Sequence, residues 1–443
     1  MTVRAPLAVR LPVAVLAVMV LVEALLVGTA VHAGSAHRQL RVLGWEAAAF
    51  GVFLIAIVLL RQAAAAPWLI LGGGALLQLA ALTAAPATSD DDHRYIWDAK
   101  VQLAGVDPYR YPPVAPELAR LRDGFLFPAT HPCPGLLVDD GTCVRMNHPT
   151  VHTIYPPLAQ AVFVLVRLAS FGGHGGSLPL QVAAAAGALA ITAFLLRRAT
   201  RAGRPLWPVA LWAWCPITAI ELGNNGHIDW AAVLVVLLAL EATRRRADGL
   251  SGALLGAGIA IKLYPGLLLA PLARRRPVVT IGVAAAVVAV CYLPHVLAVG
   301  TGALGYLPEY LRADGYDSGG RYRLLALLVP SSLVTPAAVI VLLGALAWAW
   351  TRGRDPVSSG LVVVGVAVLA ATPSFPWYVL LLLALAAAAE RPEWLGVVAA
   401  PAVIYLAVAS GAPGELSSTA SYAVAAGILL AGLLVRRTRA VRP

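Results

Sequence analysis

The sequence predicts an all-α polytopic membrane protein, and three observations carry that prediction. The 443-residue chain is 60% hydrophobic and only 12% charged, with a mean hydropathy of +0.79, whereas a soluble domain carries about 25% charged residues. Long Leu, Ala and Val runs recur from end to end, and 40 Gly with 32 Pro suit spans that are short, broken or closely packed. Short arginine clusters punctuate those runs at 197–204, 243–246, 273–276, 351–354 and 436–442. This is the positive-inside pattern, which places the clusters in the cytoplasm. The net charge of +11 is therefore a topology signal, and no nucleic-acid partner is expected.

The elements follow in order. Apolar runs near 9–32, 44–61 and 67–86 make three crossings. Residues 11–32 are too long for the core of a signal peptide and no small-residue cleavage site follows, so no leader is expected. With Arg4 and Arg10 inside, the polar stretch 87–153 falls outside, although Arg38 and Arg41 run against the charge rule. The run 155–169 opens with two prolines and carries Arg167; if it crossed, the 197–204 cluster would fall outside. It reads as a juxtamembrane or re-entrant helix. Runs follow near 178–196, 206–221, 229–242, 250–273, 277–299, 323–350, 357–372, 376–389, 393–410 and 418–435. The run 250–273 has arginines at both ends and is interrupted by Lys262 and Pro265, so it reads as two short helices meeting on the outer side.

The total is about 12–14 crossings. The chain divides into N-terminal spans (1–86), a catalytic outer loop with juxtamembrane helices (87–177), a middle set of spans (178–299), a second outer loop (300–322) and C-terminal spans (323–443).

Ionisable residues at span ends and breaks are functional candidates in a membrane protein. The sharpest group is SDDDHRYIWDAK at 89–100, where Asp90, Asp91 and Asp92 follow a span directly. Clustered carboxylates raise one another's pKa, which suits a base that must collect a proton; a solvated helix cap is the plainer reading. Asp91, Arg94 and Asp98 share one face at helical spacing, with Tyr95 and Trp97 beside them. Further along stand Tyr109, Tyr155, Asn224, His227, Asp229, Lys262, Arg321 and Arg323. Lys262 lies in an apolar run, where a cation needs a partner, and a ligand phosphate would serve. His227 has the alternative of a hydrogen-bonded loop histidine, and the two arginines that of interfacial anchors. Cys133 and Cys143 share the long outer loop, and in an oxidising compartment they form a disulfide; zinc is the weaker reading, because His131 and His148 lack ligand spacing. The glycines at 72–74 and 171–176 read as packing or turn glycines. No cofactor and no metal is expected.

The segment DDDHRYIWDAKVQLAGVDPYRYPP (90–113) resembles a motif of the GT-C superfamily of membrane glycosyltransferases, and of actinobacterial mannosyltransferases in particular. IYPPLAQ (154–160), GHIDW (226–230) and GAGIAIKLYPGLLLAPL (256–272) continue the resemblance in order, over roughly 85–275. Departures are Ala99 for glycine, Asp107 for asparagine and Asp92 at a commonly aliphatic position, the last leaving the base ambiguous among three aspartates. The resemblance implies a GT-C-type bundle in the plasma membrane, with its active site on the extracytoplasmic side. It implies transfer of a sugar, mannose by analogy, from a polyprenyl-phosphate donor to a glycan or glycolipid acceptor by a single inverting displacement. Asp91 would be the general base, with Asp90 its alternate; Lys262, His227, Arg321 and Arg323 would bind the donor phosphate. Arg94, Tyr95, Trp97, Asp98, Tyr109, Tyr155, Asn224 and Asp229 would contact substrate. The alternatives are a GT-C enzyme for another sugar, such as arabinofuranose, and a transporter or flippase for a lipid-linked sugar.

Overall fold

The structure, a computed structural model, describes residues 13–35, 39–63, 66–130, 132–170 and 176–441. Arg4, Arg10, Arg38, His131, Arg442 and the glycines at 172–175 lie outside them. Helices α1 (Val13–Ser35), α2 (Gln39–Leu60) and α3 (Pro67–Ala81) form the N-terminal group. Next come α4 (Asp91–Leu103), α5 (Pro157–Ala169) and α6 (Leu178–Arg201). Two short turns, α7 (Ala210–Ala213) and α8 (Pro216–Thr218), lead into a π-helical segment at Ala219–Asn224, followed by α9 (Asp229–Arg244). Then follow α10 (Asp248–Ile261), α11 (Leu269–Leu272), α12 (Pro277–Val299) and α13 (Leu307–Ala313). The last five are α14 (Ser331–Thr351), α15 (Pro356–Ala371), α16 (Leu380–Ala389), α17 (Leu395–Ala409) and α18 (Gly414–Val441).

Among the described residues, seven helical stretches are long and apolar enough to cross a membrane, or eight if the segments 216–224 and 229–244, bent by 119°, count as one. Five further apolar helices have 10–17 residues, among them α3, α5 and α10. At 1.5 Å per residue such helices are shorter than a hydrocarbon core of about 30 Å. The sequence led to an expectation of 12 to 14 crossings; the described residues give seven or eight spans of full length, and the other expected crossings are short apolar helices. The short ones fall where proline or a polar residue interrupts the run. Helix α5 begins on Pro157, buries Ala159, Gln160 and Phe163, and leaves Leu165 and Leu168 exposed. The 250–273 run breaks at Lys262 into α10, a 3-10 turn at Tyr264–Leu268 and α11.

Two apolar cores result. The larger one joins α1–α3 and α6 to α9, α15, α16 and α17. The smaller one gathers Tyr95, Trp97, Leu118, Leu126, Met146, Tyr155 and Phe163, and so gives the 91–163 segment packing of its own against α5. In that segment Cys133 and Cys143 form the disulfide beside a two-stranded hairpin, Leu136–Leu137 against Cys143–Val144.

One tether fixes the turn that leads into this segment, and a second seats the 300–322 loop on it. Asn224 donates from Nδ2 to the carbonyls of Ala81, Ala84 and Ala85, each at 3.1 Å, and its Oδ1 accepts from the Ala87 amide. Those are the carbonyls left open at the C-terminal end of α3 and in the turn after it. The second tether is Gly305, whose φ of +57° lies in the left-handed region. A Cβ there would stand 1.7 Å from the Thr153 carbonyl oxygen, so the 300–322 loop seats only with glycine at that position.

Candidate active site

Asp90 stands at the N-cap position of α4, and Asp91 and Asp92 occupy its first turn, where carboxylates are favoured by the helix dipole. The Asp91 amide donates to Ser89 Oγ at 3.3 Å. Successive residues on a helix point about 100° apart, so the three carboxylates separate. Asp90 and Asp91 line a cavity of about 520 Å³. Asp92 turns inward and is fully buried, and burial holds its carboxyl above the usual range.

Asp91 is hydrogen-bonded through one oxygen and faces an imidazole with the other. Asn147 Nδ2 donates to its Oδ1 at 2.7 Å and to Asp90 Oδ1 at 3.0 Å. His227 Nδ1 approaches its Oδ2 at 3.8 Å, while Nε2 of the same ring stands 3.2 Å from Glu221 Oε2. An imidazole between two carboxylates is favoured in its protonated form. The ring stacks on Trp377 with centroids 4.1 Å apart and is fully buried. Burial, then the charge of Asp91, push the Asp90 carboxyl up to about 6.

Across the cavity Lys262 Nζ pairs with Asp229 Oδ2 at 3.2 Å, and Tyr264 donates to Asp229 Oδ1 at 3.1 Å. The rings of Tyr155 and Tyr378 lie 5.6 and 5.9 Å from the ammonium. Tyr306 and Tyr310 from the second loop, with Phe375, Trp377 and Tyr405, complete an aromatic wall.

Of the residues singled out in the sequence, Asp90, Asp91, Arg94, Tyr155 and Lys262 line this cavity. The others stand behind it or away from it. Asp98 is a buried hub, accepting from Arg94 Nε at 3.0 Å, Thr153 Oγ1 at 2.5 Å and Gln160 Nε2 at 2.8 Å. Arg94 also donates to the carbonyls of His148 and Val151, so its charge is spent on holding that loop. Tyr95 stacks on Phe163, and Trp97 packs against Phe127. Tyr109 donates to the Tyr155 carbonyl at 2.6 Å. Asn224 and Asp229 are fully buried in the contacts already described.

All four expected phosphate ligands therefore have protein partners, Lys262 through Asp229. His227 lies one layer behind Asp91. Arg321 pairs with Asp314 at 3.4 Å and donates to Ser374, and Arg323 pairs with Glu415 at 2.9 Å. Only Lys262 of the four faces the cavity. The sequence reading missed Asn147, Glu221 and the wall from Phe375 to Tyr405. The run SFPWY at 374–378, three aromatics and a proline between two apolar helices, was the available signal for that wall.

The arrangement is that of a membrane protein with an acidic, aromatic-walled cleft able to take a proton and hold a sugar ring. Residues 153–373 match the model of glycosyltransferase family 87, and this similarity supports a membrane glycosyltransferase. The matched stretch carries Tyr155, His227, Asp229, Lys262 and Tyr310, whereas Asp90, Asp91 and Trp377 lie outside it. No curated protein and no solved structure was found similar to the chain.

Proposed function

We propose that the protein transfers a sugar from a polyprenyl-phosphate donor to a glycan or glycolipid acceptor, on the extracytoplasmic face of the plasma membrane and with inversion at the anomeric carbon. The observation that carries this reading is Asp91, a carboxylate on the cavity surface oriented by a hydrogen bond from Asn147, with the His227 ring 3.8 Å from its other oxygen. Asp91 takes the proton of the acceptor hydroxyl as that oxygen forms its bond to C1. The C1–O bond to the donor phosphate breaks, and the electron pair leaves with polyprenyl phosphate. Lys262 receives the growing charge on the leaving group. A phosphate leaves without a general acid, so one carboxylate suffices. Tyrosine and tryptophan faces supply stacking surfaces for sugar rings and for the prenyl chain. Mannose is the first donor to test, on the resemblance of the 90–113 segment.

The test is purified protein in lipid vesicles with polyprenyl-phosphate mannose and an oligomannoside acceptor, read as a new glycosidic bond. Transfer by the wild type supports the reading. Movement of intact donor across the bilayer without bond formation would replace it with a transporter.

The pH profile makes a second prediction. Asp90 gives up its proton near pH 6, which adds a second negative charge to the cleft where the anomeric carbon gains positive charge in the transition state. Transfer should therefore rise through about pH 6, and Asp90→Asn should lose that inflection while retaining transfer. Stability has the opposite sign. The unfolded carboxyl ionises near its ordinary value and the folded one only near 6, so the folded state binds more protons between them and loses stability as pH rises across that interval. Asp90→Asn should accordingly raise Tm above pH 6 and leave it unchanged below pH 4.

A further inference from the structure

At the other end of the bundle lies a larger cavity, of about 1150 Å³. Helix α6 connects the two ends. Its Gln181 donates to the carbonyls of Ala84 and Asn224 beneath the aspartate cleft, and Arg197 lies 16 residues further along, about 24 Å at 1.5 Å per residue. Six arginines line the second cavity and only three carboxylates do.

All three carboxylates are already engaged. Glu390 pairs with Arg204 at 2.8 Å, Asp355 with Arg244 at 2.6 Å and Glu241 with Arg245 at 2.8 Å. Arg198 donates to the Ala388 carbonyl at 3.2 Å. Arg197 and Arg201 make no side-chain hydrogen bond or ion pair among the described residues, although both face the cavity. Apart from Ser358 the remaining wall is apolar, with Phe194, Leu195, Leu238, Leu250 and Leu254. Arginines that act only as topology anchors point into open water or headgroups. Here Arg197 and Arg201, though exposed, stand at the edge of a cavity that arginines and apolar side chains line together.

We propose that this second cavity binds a phosphate group borne by an apolar chain, with Arg197 and Arg201 as its ligands. Arginine presents a planar fork of donors that matches phosphate oxygens two at a time. The apolar wall favours a lipid over a free anion, since an acyl or prenyl chain removes those side chains from water. The site stands apart from the aspartate cleft and does not depend on the reaction proposed there.

The test uses full-length protein in neutral detergent, titrated by calorimetry and native mass spectrometry with dioctanoyl phosphatidic acid, dioctanoyl phosphatidylcholine and inorganic phosphate. The expected result is one saturable phosphatidic acid site, at least tenfold weaker binding of phosphatidylcholine, and no displacement by millimolar phosphate. Arg197→Gln with Arg201→Gln should weaken phosphatidic acid by roughly thirtyfold, at about 1 kcal/mol per arginine near an anionic surface. Leu250→Trp, which fills the exposed apolar wall and leaves every charge in place, should weaken it too. If inorganic phosphate saturates the same arginines as tightly as the lipid, the phosphate chemistry stands and the occupant is a soluble phosphate compound. Equal binding of the two lipids, or undiminished binding in a monodisperse double variant, overturns the proposal.

Discussion

Asp91→Asn is expected to lower sugar transfer by roughly 10² to 10⁴-fold, the range for loss of a positioned general base. Asparagine keeps the shape of the side chain and can still accept from Asn147, so the fold and the cavity should persist. It cannot accept the acceptor proton. The loss should therefore fall on kcat and kcat/KM alike, with donor binding little changed. Asp92→Asn is the internal control. That carboxyl is fully buried and off the cavity, so its replacement should leave transfer near the wild-type rate. Wild-type transfer by Asp91→Asn, with loss in Asp90→Asn or Asp92→Asn instead, would move the base to that neighbour.

Lys262→Met is expected to cost both activity and stability. Its ammonium is the partner of Asp229, which is wholly buried at the start of α9. Removing one member of a buried pair leaves an uncompensated charge, typically about 3–5 kcal/mol. The Lys262→Met, Asp229→Asn double variant removes both charges and should recover most of that stability, measured as Tm or as the denaturant midpoint. It should not recover transfer, because the cation facing the leaving phosphate is still missing. A double variant that regains transfer along with stability would assign Lys262 a structural role only.

The two predictions rest on features that differ in how far they were legible. The acidic cluster at 90–92 was visible because three carboxylates after an apolar run are costly without a purpose. Helical spacing correctly brought Arg94 and Asp98 together, and they pair at 3.0 Å. Their meaning was not visible, since Asp98 also holds Thr153 and Gln160, more than fifty residues away. The same long-range packing took His227 out of the expected phosphate site and gave it to Asp91 and Glu221. Nor did spacing point to Asn147, whose side chain reaches across 56 and 57 residues to Asp91 and Asp90. Arg321 and Arg323 had no visible partner in the sequence, because Asp314 and Glu415 reach them through loop geometry and through the last helix.

By itself the sequence determined the all-α membrane character, the short helix at 157–169, the broken run at 248–272 and the polar segment with its paired cysteines. These depend on apolar run length, proline positions and local spacing, which are properties of neighbouring residues. Tertiary structure alone decided which aspartates face the cleft, which cation shares it, and which aromatics wall it. Those depend on the direction each side chain takes once α4, the 219–230 turn and the 374–378 segment are packed together. A one-residue step turns a helical side chain by about 100°, enough to separate Asp91 on the cavity surface from Asp92 in the core.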